Sequence, residues 1–283
     1  DDRFGKFASF GGASVAENAY FVNGLNVTDF RNGLGGSTIP FEFYKEFQVK
    51  TGGYSAEFGR STGGVINAVT KSGTNELSGE MFYEYGSDSL AGKPKRDDGT
   101  EIDLDFERKT YGLALGGKII EDELFFFVTY EESENPYVNN YGPAGSGASQ
   151  EKDWLTTDVI TRVQNISQDV YGFDAGGLAQ GLSNESEKLI VKLDWNINEE
   201  HRAAFTYQDT QDNSVRAQHT SRANEFSLLS NWYNVNATIE AYALQVYSDW
   251  TDEFSTQLKV AYKDTANASQ SYSDTLNSDK IGQ

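Results

Sequence analysis

Few residues in this chain have the types and spacing that chemistry needs. Histidine occurs only at His201 and His219, and there is no cysteine. No serine sits in a nucleophile-elbow motif, which argues against a hydrolase triad, a histidine-based metal centre and a thiolate site alike. Glu80 and Glu84 share one face of an alternating segment and have the look of an acid/base pair; on a strand of this kind they read as ordinary polarity of an inward wall. The acidic residues Asp97, Asp98, Glu101, Asp103 and Asp105 offer carboxylates to Ca²⁺ but lack EF-hand spacing, so they read as a solvated loop. Gly63-Gly64-Val65-Ile66-Asn67 suggests a phosphate loop, yet no Lys-Ser/Thr pair follows at the right offset. No enzyme activity, cofactor or metal is therefore expected.

What remains is a glycine-rich stretch, residues 47–74, around which the chain is organised. It reads as a strand (Phe47, Val49), a tight turn at Gly52-Gly53, and an irregular segment holding Tyr54, Glu57, Gly59 and Arg60. A second pair, Gly63-Gly64, opens another strand that carries Asn67. Glycines at these places argue for positive φ and close backbone approach. Upstream, Tyr20 to Val22 predicts a strand ending at an Asn23-Gly24 turn. Pro40 predicts a short helix over residues 40–46, and Phe4, Phe7 and Phe10 are spaced as one helical face interrupted by glycine.

The elements that follow must hold this stretch. With 43 Asp+Glu against 23 Lys+Arg, the formal charge of -20 argues against a nucleic-acid partner. The aromatic share of 13% is too rich for a disordered acidic chain. Tyr and Phe far outnumber Met, and Pro is scarce, which favours strands. No apolar run approaches the ~20 residues of a membrane helix. A β-barrel stays open, because its strands alternate and keep hydropathy low.

Period-two alternation appears over residues 77–86, 109–118, 124–131, 187–196, 202–209, 240–250 and 256–263. Short connections (119–123, 197–200, 251–255) alternate with long ones (87–108, 132–186, 210–239), so the long ones gather at one end of a sheet. The spacing of Val159, Val163, Ile166 and Val170 predicts a helix inside the second long connection. If strand directions alternate, Tyr83, Tyr85, Tyr111, Tyr130, Tyr207, Tyr242 and Tyr262 fall toward the long-connection end, with Trp195 and Trp250 at the other. Two such belts are what two membrane interfaces produce.

The run from Thr51 through Gly52-Gly53-Tyr54, Glu57, Gly59-Arg60, Gly63-Gly64 and Asn67 to Glu76 resembles the end of the plug domain of TonB-dependent outer-membrane receptors, in particular their Oar-like branch. Residues 20–29 fit as well, although the family more often has Asp where this chain has Asn23. The resemblance implies a mainly β fold: a partial, N-terminal portion of a transmembrane antiparallel β-barrel of twenty-two strands, preceded by an α+β plug. It divides the chain into residues 1–75, the later part of the plug, and residues 76–283, about seven barrel strands with their outer loops. It places the chain in a bacterial outer membrane, with long loops outside and the plug on the periplasmic side. Outer-membrane lipid, an extracellular ligand (peptide or protein by analogy with the branch) and an inner-membrane energising complex become the expected partners. That complex would act through an N-terminal segment not visible in residues 1–10. The resemblance also suggests a missing C-terminal part. It gives Arg60, near Glu57, the role of pairing with a barrel carboxylate. Glu80, Glu84, Lys192 and Asp194 would face the lumen, and Leu77, Leu113, Phe126, Leu193, Phe205, Val246 and Val260 lipid. Two rivals remain at this point: a passive barrel or adhesin, and a soluble all-β surface protein whose Tyr83, Leu115, Phe126, Leu193 and Val246 faces would be buried against a second sheet.

Overall fold

The computed structural model describes residues 10, 12–28, 40–55, 58–59, 61–93, 95, 99–101, 106–218, 220 and 222–277. Expectations for Phe4, Phe7, Glu57, Arg60, His219 and most of the acidic run fall outside these residues. The N-terminal part forms a small sheet from β1 (Ala19–Val22), β2 (Leu25–Asn26), β3 (Tyr44–Lys50) and β4 (Val65–Thr70), in the order β2-β1-β4-β3. β4 runs parallel to β1 and antiparallel to β3. The helix expected over residues 40–46 is one 3-10 turn, Phe41–Phe43, after which the chain enters β3 at once. Tyr44 already pairs with Thr70, and the ladder outcompetes a helix too short to propagate.

The larger sheet is an antiparallel meander of seven strands: β5 (Ser78–Ser87), β6 (Glu107–Ile120), β7 (Leu124–Pro136), β10 (Ser183–Asn196), β11 (His201–Arg216), β12 (Tyr233–Thr251) and β13 (Phe254–Ser271). All seven alternating segments are strands, but several run well past the predicted limits. The pattern marked residues 240–250, whereas β12 begins at Tyr233. The reason lies in the phase. Over residues 233–239, Tyr233, Val235, Ala237 and Ile239 alternate with polar residues on the opposite face from Tyr242, Leu244 and Val246. The apolar period therefore breaks at Glu240 while the backbone ladder, as in Gln211↔Thr238 and Asn213↔Asn236, continues. The sheet is open, since β5 and β13 have no strand on their outer edges among the described residues.

The two faces invert the pattern of a water-soluble sheet. On one, the register aligns a buried row of small and polar residues around a single large apolar one: Ala114, Thr129, Ile190, Gln208 and Ala241. On the other, Val128, Val191, Tyr207, Tyr242 and Tyr262 line up across five strands. Here large apolar side chains stand open, including Met81 at 84%, Tyr83 at 63% and Leu258 at 57% exposure. Leaving each such side chain in water would forgo about 1.5–3 kcal/mol of burial, so this face belongs against an apolar medium. Nothing among the described residues covers Tyr83 or Leu115, which removes the sandwich reading.

At the long-connection end, β8 (Tyr141–Pro143), β9 (Gln150–Lys152), α1 (Thr157–Tyr171) and α2 (Tyr272–Leu276) form a cap. Thr156 caps α1, its hydroxyl accepting from the Val159 amide, and Gly172 ends the helix in the left-handed region. The predicted helix is present, but its buried contact is Ile160, while Val159, Val163, Ile166 and Val170 are exposed. Spacing located the helix, and the apolar stripe that marked it is its exposed side.

Candidate functional site

The site is built where the small sheet lies against the buried face of the large one. Within the small sheet, polar side chains set the strand positions. Asn18 Oδ1 accepts from the Gly64 amide at 2.8 Å, and Ala19 donates to the Gly64 carbonyl at 2.9 Å. Asn67 Oδ1 accepts from the Gly24 amide at 3.1 Å. Asn23 (φ 50) donates through Nδ2 to Thr70 Oγ1 at 2.7 Å and accepts from the Thr70 amide at 3.0 Å. An Asp at this position could keep both contacts by accepting from the Thr70 amide and from its hydroxyl.

The sequence-selected motif closes this sheet. Gly52 and Gly53 follow β3 as a turn, and Tyr54 donates from its hydroxyl to the carbonyls of Ser61 (3.0 Å) and Gly63 (3.2 Å). A Cβ on Gly63 would stand 2.7 Å from Asn18 Oδ1 and 3.1 Å from the Glu17 backbone, and Gly64 is covered by the Phe10 ring. The close approach at this pair is therefore internal to the small sheet. Gly59 is exposed, and Glu57 and Arg60 lie outside the described residues.

Contact with the large sheet has an apolar centre and polar ties. Phe43 is fully buried among Ala114, Phe127 and Ile190, with Val22 and Tyr44 packed alongside. Lys192, 7% exposed, reaches across to Ser72 Oγ at 2.8 Å while paired with Asp194 at 3.2 Å. Gln245 Nε2 donates to the Asn23 carbonyl at 2.8 Å. The segment joining the sheets presses on β6 and β7 at Gly73, where a Cβ would meet the Phe126 carbonyl and sit 2.6 Å from that of Gly117. Asn75 Nδ2 then donates to Asp122 at 2.5 Å and its Oδ1 accepts from the Asp122 amide at 2.8 Å. Beside these ties a cavity of about 600 Å³ opens between the sheets, lined by Lys50, Lys192, Asp194, Arg202 and Lys259 among others.

Lys192 and Asp194, expected on one face together, both lie on the face toward the small sheet. Glu80 and Glu84 pair opposite Ala114 and Thr110 and so share that face, at the open edge. Sequence reasoning missed Phe43, Gly73, Asn75 and Gln245. Only the Ser-Gly-Thr-Asn turn chemistry at residues 72–75 carried a signal. On the opposite face, tyrosines end the apolar band against carboxylates: Tyr130 donates to Glu132 (2.9 Å) and Glu187 (3.0 Å), Tyr242 to Glu240 (2.6 Å), and Tyr111 to Glu132. At the other limit Trp195 Nε1 donates to Glu123 at 3.1 Å and Trp250 Nε1 to Thr256 at 2.9 Å. From Trp250 to Tyr242 the strand covers eight residue steps, about 26 Å along its length, which at the ~35–45° tilt of barrel strands spans about 20 Å of the ~25 Å apolar band.

Residues 69–143 match the outer membrane beta barrel domain family. The TonB-dependent transporter Oar of Myxococcus xanthus is 32% identical over 224 residues, covering 74% of this chain and 20% of the relative. The chain belongs to the TonB-dependent outer-membrane receptors. It spans about a fifth of the length of that curated relative. The fold agrees with solved members of the family. The outer membrane transporter YddB from Escherichia coli superposes with a TM-score of 0.66 at 14% identity, over 93% of this chain and 33% of the other. The siderophore receptor PirA from Acinetobacter baumannii gives 0.59 at 17%, over 90% and 33%. TonB-dependent receptors are receptors and transporters of the outer membrane rather than enzymes.

Proposed function

We propose that residues 1–75 are the later part of a plug and residues 76–283 the first seven strands of the barrel that surrounds it, in a receptor that takes up an extracellular ligand by energised plug movement. The carrying observation is the small sheet seated on the polar, buried face of the large one, through Phe43 and the Lys192 and Gln245 ties. In this reading the long connections face the outside, and the short turns and the small sheet lie toward the periplasm. Ligand binds above the plug, and an inner-membrane complex pulls on a segment N-terminal to β1. Arg60, with Glu57 beside it, holds the plug to a wall carboxylate. The polar character of the ties favours movement: a plug held by hydrogen bonds at a hydrated cavity can exchange partners with water, where a continuous apolar interface could not.

The test uses the intact receptor with every cysteine outside residues 1–283 replaced, since these residues contain none. Ala19→Cys places a thiol on β1 at a position only 4% exposed. In energised cells given permeable maleimide, this thiol reacts measurably, and collapsing the proton gradient protects it. Equal labelling in both states contradicts energised movement and favours a passive barrel.

A further inference from the structure

We propose that the cavity between the β7–β8 connection, the β8–β9 turn and residues 178–181 is a binding site for a neutral saccharide unit. This cavity, of about 350 Å³, lies in the cap at the long-connection end, far from the contact between the sheets. That volume is near the lower limit of the ~300–1,000 Å³ typical of small-ligand pockets, the size for a ligand of one or two rings.

Its lining sets it apart from its surroundings. The strand ends just below carry Glu132, Glu134, Glu185 and Glu187, and the chain as a whole is at -20. Yet among the described residues no Asp, Glu, Lys or Arg lines this cavity; the charges against its lining are Lys152 Nζ, 5.0 Å from the Tyr141 ring centroid, and Glu151, bonded to the Gly147 amide. Its polar groups are neutral: Tyr137, Asn139, Tyr141, Ser146, Ser149 and Gln180. The Tyr137 and Tyr141 hydroxyls, Asn139 Nδ2 and the Gln180 amide form no hydrogen bond within the described residues. Burial raises the Tyr137 phenol above its ordinary value, so it stays a neutral donor. Phenol and amide groups in a concave, uncharged pocket match a ring bearing hydroxyls, each both donor and acceptor, with a C–H face for an aromatic side chain.

The cavity is preformed, so little ordering cost falls on binding. Glu151 accepts from the Gly145 amide at 2.7 Å and the Gly147 amide at 2.9 Å, fixing the β8–β9 turn. Tyr137 donates its amide to the Leu182 carbonyl at 2.7 Å and stacks edge-on against the buried Trp232, 5.5 Å between centroids. Ala179, 3% exposed, belongs to the same core.

The experiment uses the intact receptor in a zwitterionic detergent, because maltoside headgroups would occupy the site. Maltose, cellobiose, lactose and an N-acetylglucosamine disaccharide are titrated and followed by saturation-transfer NMR, with galacturonic acid as the charged counterpart. At least one neutral disaccharide saturates, the uronate binds at least tenfold more weakly, and Asn139→Ala/Gln180→Ala weakens the neutral ligand tenfold or more. Asn165→Ala on the exposed side of α1 leaves binding unchanged, and Trp232 fluorescence reports that the cap is folded in each variant. Purified lipopolysaccharide binding with the same variant dependence assigns the saccharide to the cell surface; binding of the disaccharides alone assigns it to a free ligand. Failure of every neutral sugar to saturate overturns the proposal, as does equal binding of the uronate or an undiminished double variant. Tighter binding of a Gly-Ser peptide than of any sugar overturns it too. None of these readouts needs energised transport, so the proposal and the transport reading fail separately.

Discussion

The two ends of the seven-stranded sheet are held by different physics. At the short-turn end, the wall meets the small sheet and the segment that follows it through a few polar contacts: Lys192 with Ser72, Gln245 with Asn23, and Asn75 with Asp122 through two bonds. Around Phe43 the apolar contact is compact, and beside it lies a cavity of about 600 Å³ lined by polar and charged side chains. At the long-connection end, pieces as far apart in the sequence as Tyr137 and Tyr272 share one apolar core. Trp232, fully buried, packs with Ala179 and Val215, and Tyr137, Leu182 and Tyr272 close around them. Asn277 Oδ1 accepts from the Asp174 amide at 2.8 Å and joins the far end of the chain to the same cap. One end is held by a few polar bonds and the other by a shared apolar core, a difference that fits the proposed movement of the small sheet beneath a fixed cap.

The comparison breaks most readily at Trp232. Trp232→Ala removes a fully buried aromatic ring and the Nε1 hydrogen bond to Ser227, at a cost of about 3–5 kcal/mol. Limited proteolysis should then cut within residues 137–182, while the small sheet keeps its protection. Loss of protection at both ends together would mean that they are one cooperative unit.

Between the ends lies the apolar band. Leu244→Arg on the outward face should cost about 2–4 kcal/mol in membrane folding titrations, against little for Thr206→Arg, which borders the cavity between the sheets. Equal costs would show that the outward face does not meet lipid.

The smallest effect is expected at Gly73. Gly73→Ala forces a methyl against the backbone of Phe126 and Gly117, and overpacking of that kind costs about 1–3 kcal/mol. The outer cap should be unaffected, and the small sheet should exchange its amide hydrogens faster. An unchanged exchange pattern would mean that the linker is not pressed on the wall.

How much of this was legible follows from where apolar period exists. The strands at Leu189, Val191, Leu193 and at Tyr242, Leu244, Val246 announced themselves because one face meets an apolar medium and the other does not. The extension over residues 233–239 did not join that pattern, because its apolar residues Val235, Ala237 and Ile239 fall in the opposite phase to Tyr242, Leu244 and Val246. The glycine-rich motif was found, but Gly63 and Gly64 turned out to serve contacts inside the small sheet. The glycine against the wall is Gly73, whose role depends on a carbonyl over fifty residues away. The helix at Thr157–Tyr171 was readable from spacing, yet its valines point away from the protein, because a period reveals an apolar stripe and not what covers it.

The central claim is that the sheet crosses the outer membrane with its long connections outside. Single-cysteine labelling tests it directly, since the chain has no cysteine of its own. Thr161→Cys on α1 and Glu199→Cys in the β10–β11 turn are both at exposed positions. In intact cells, a membrane-impermeant maleimide should label Thr161→Cys and spare Glu199→Cys until the outer membrane is opened. Labelling of Glu199→Cys alone in intact cells would invert the topology, and equal labelling of both would contradict a membrane-spanning sheet.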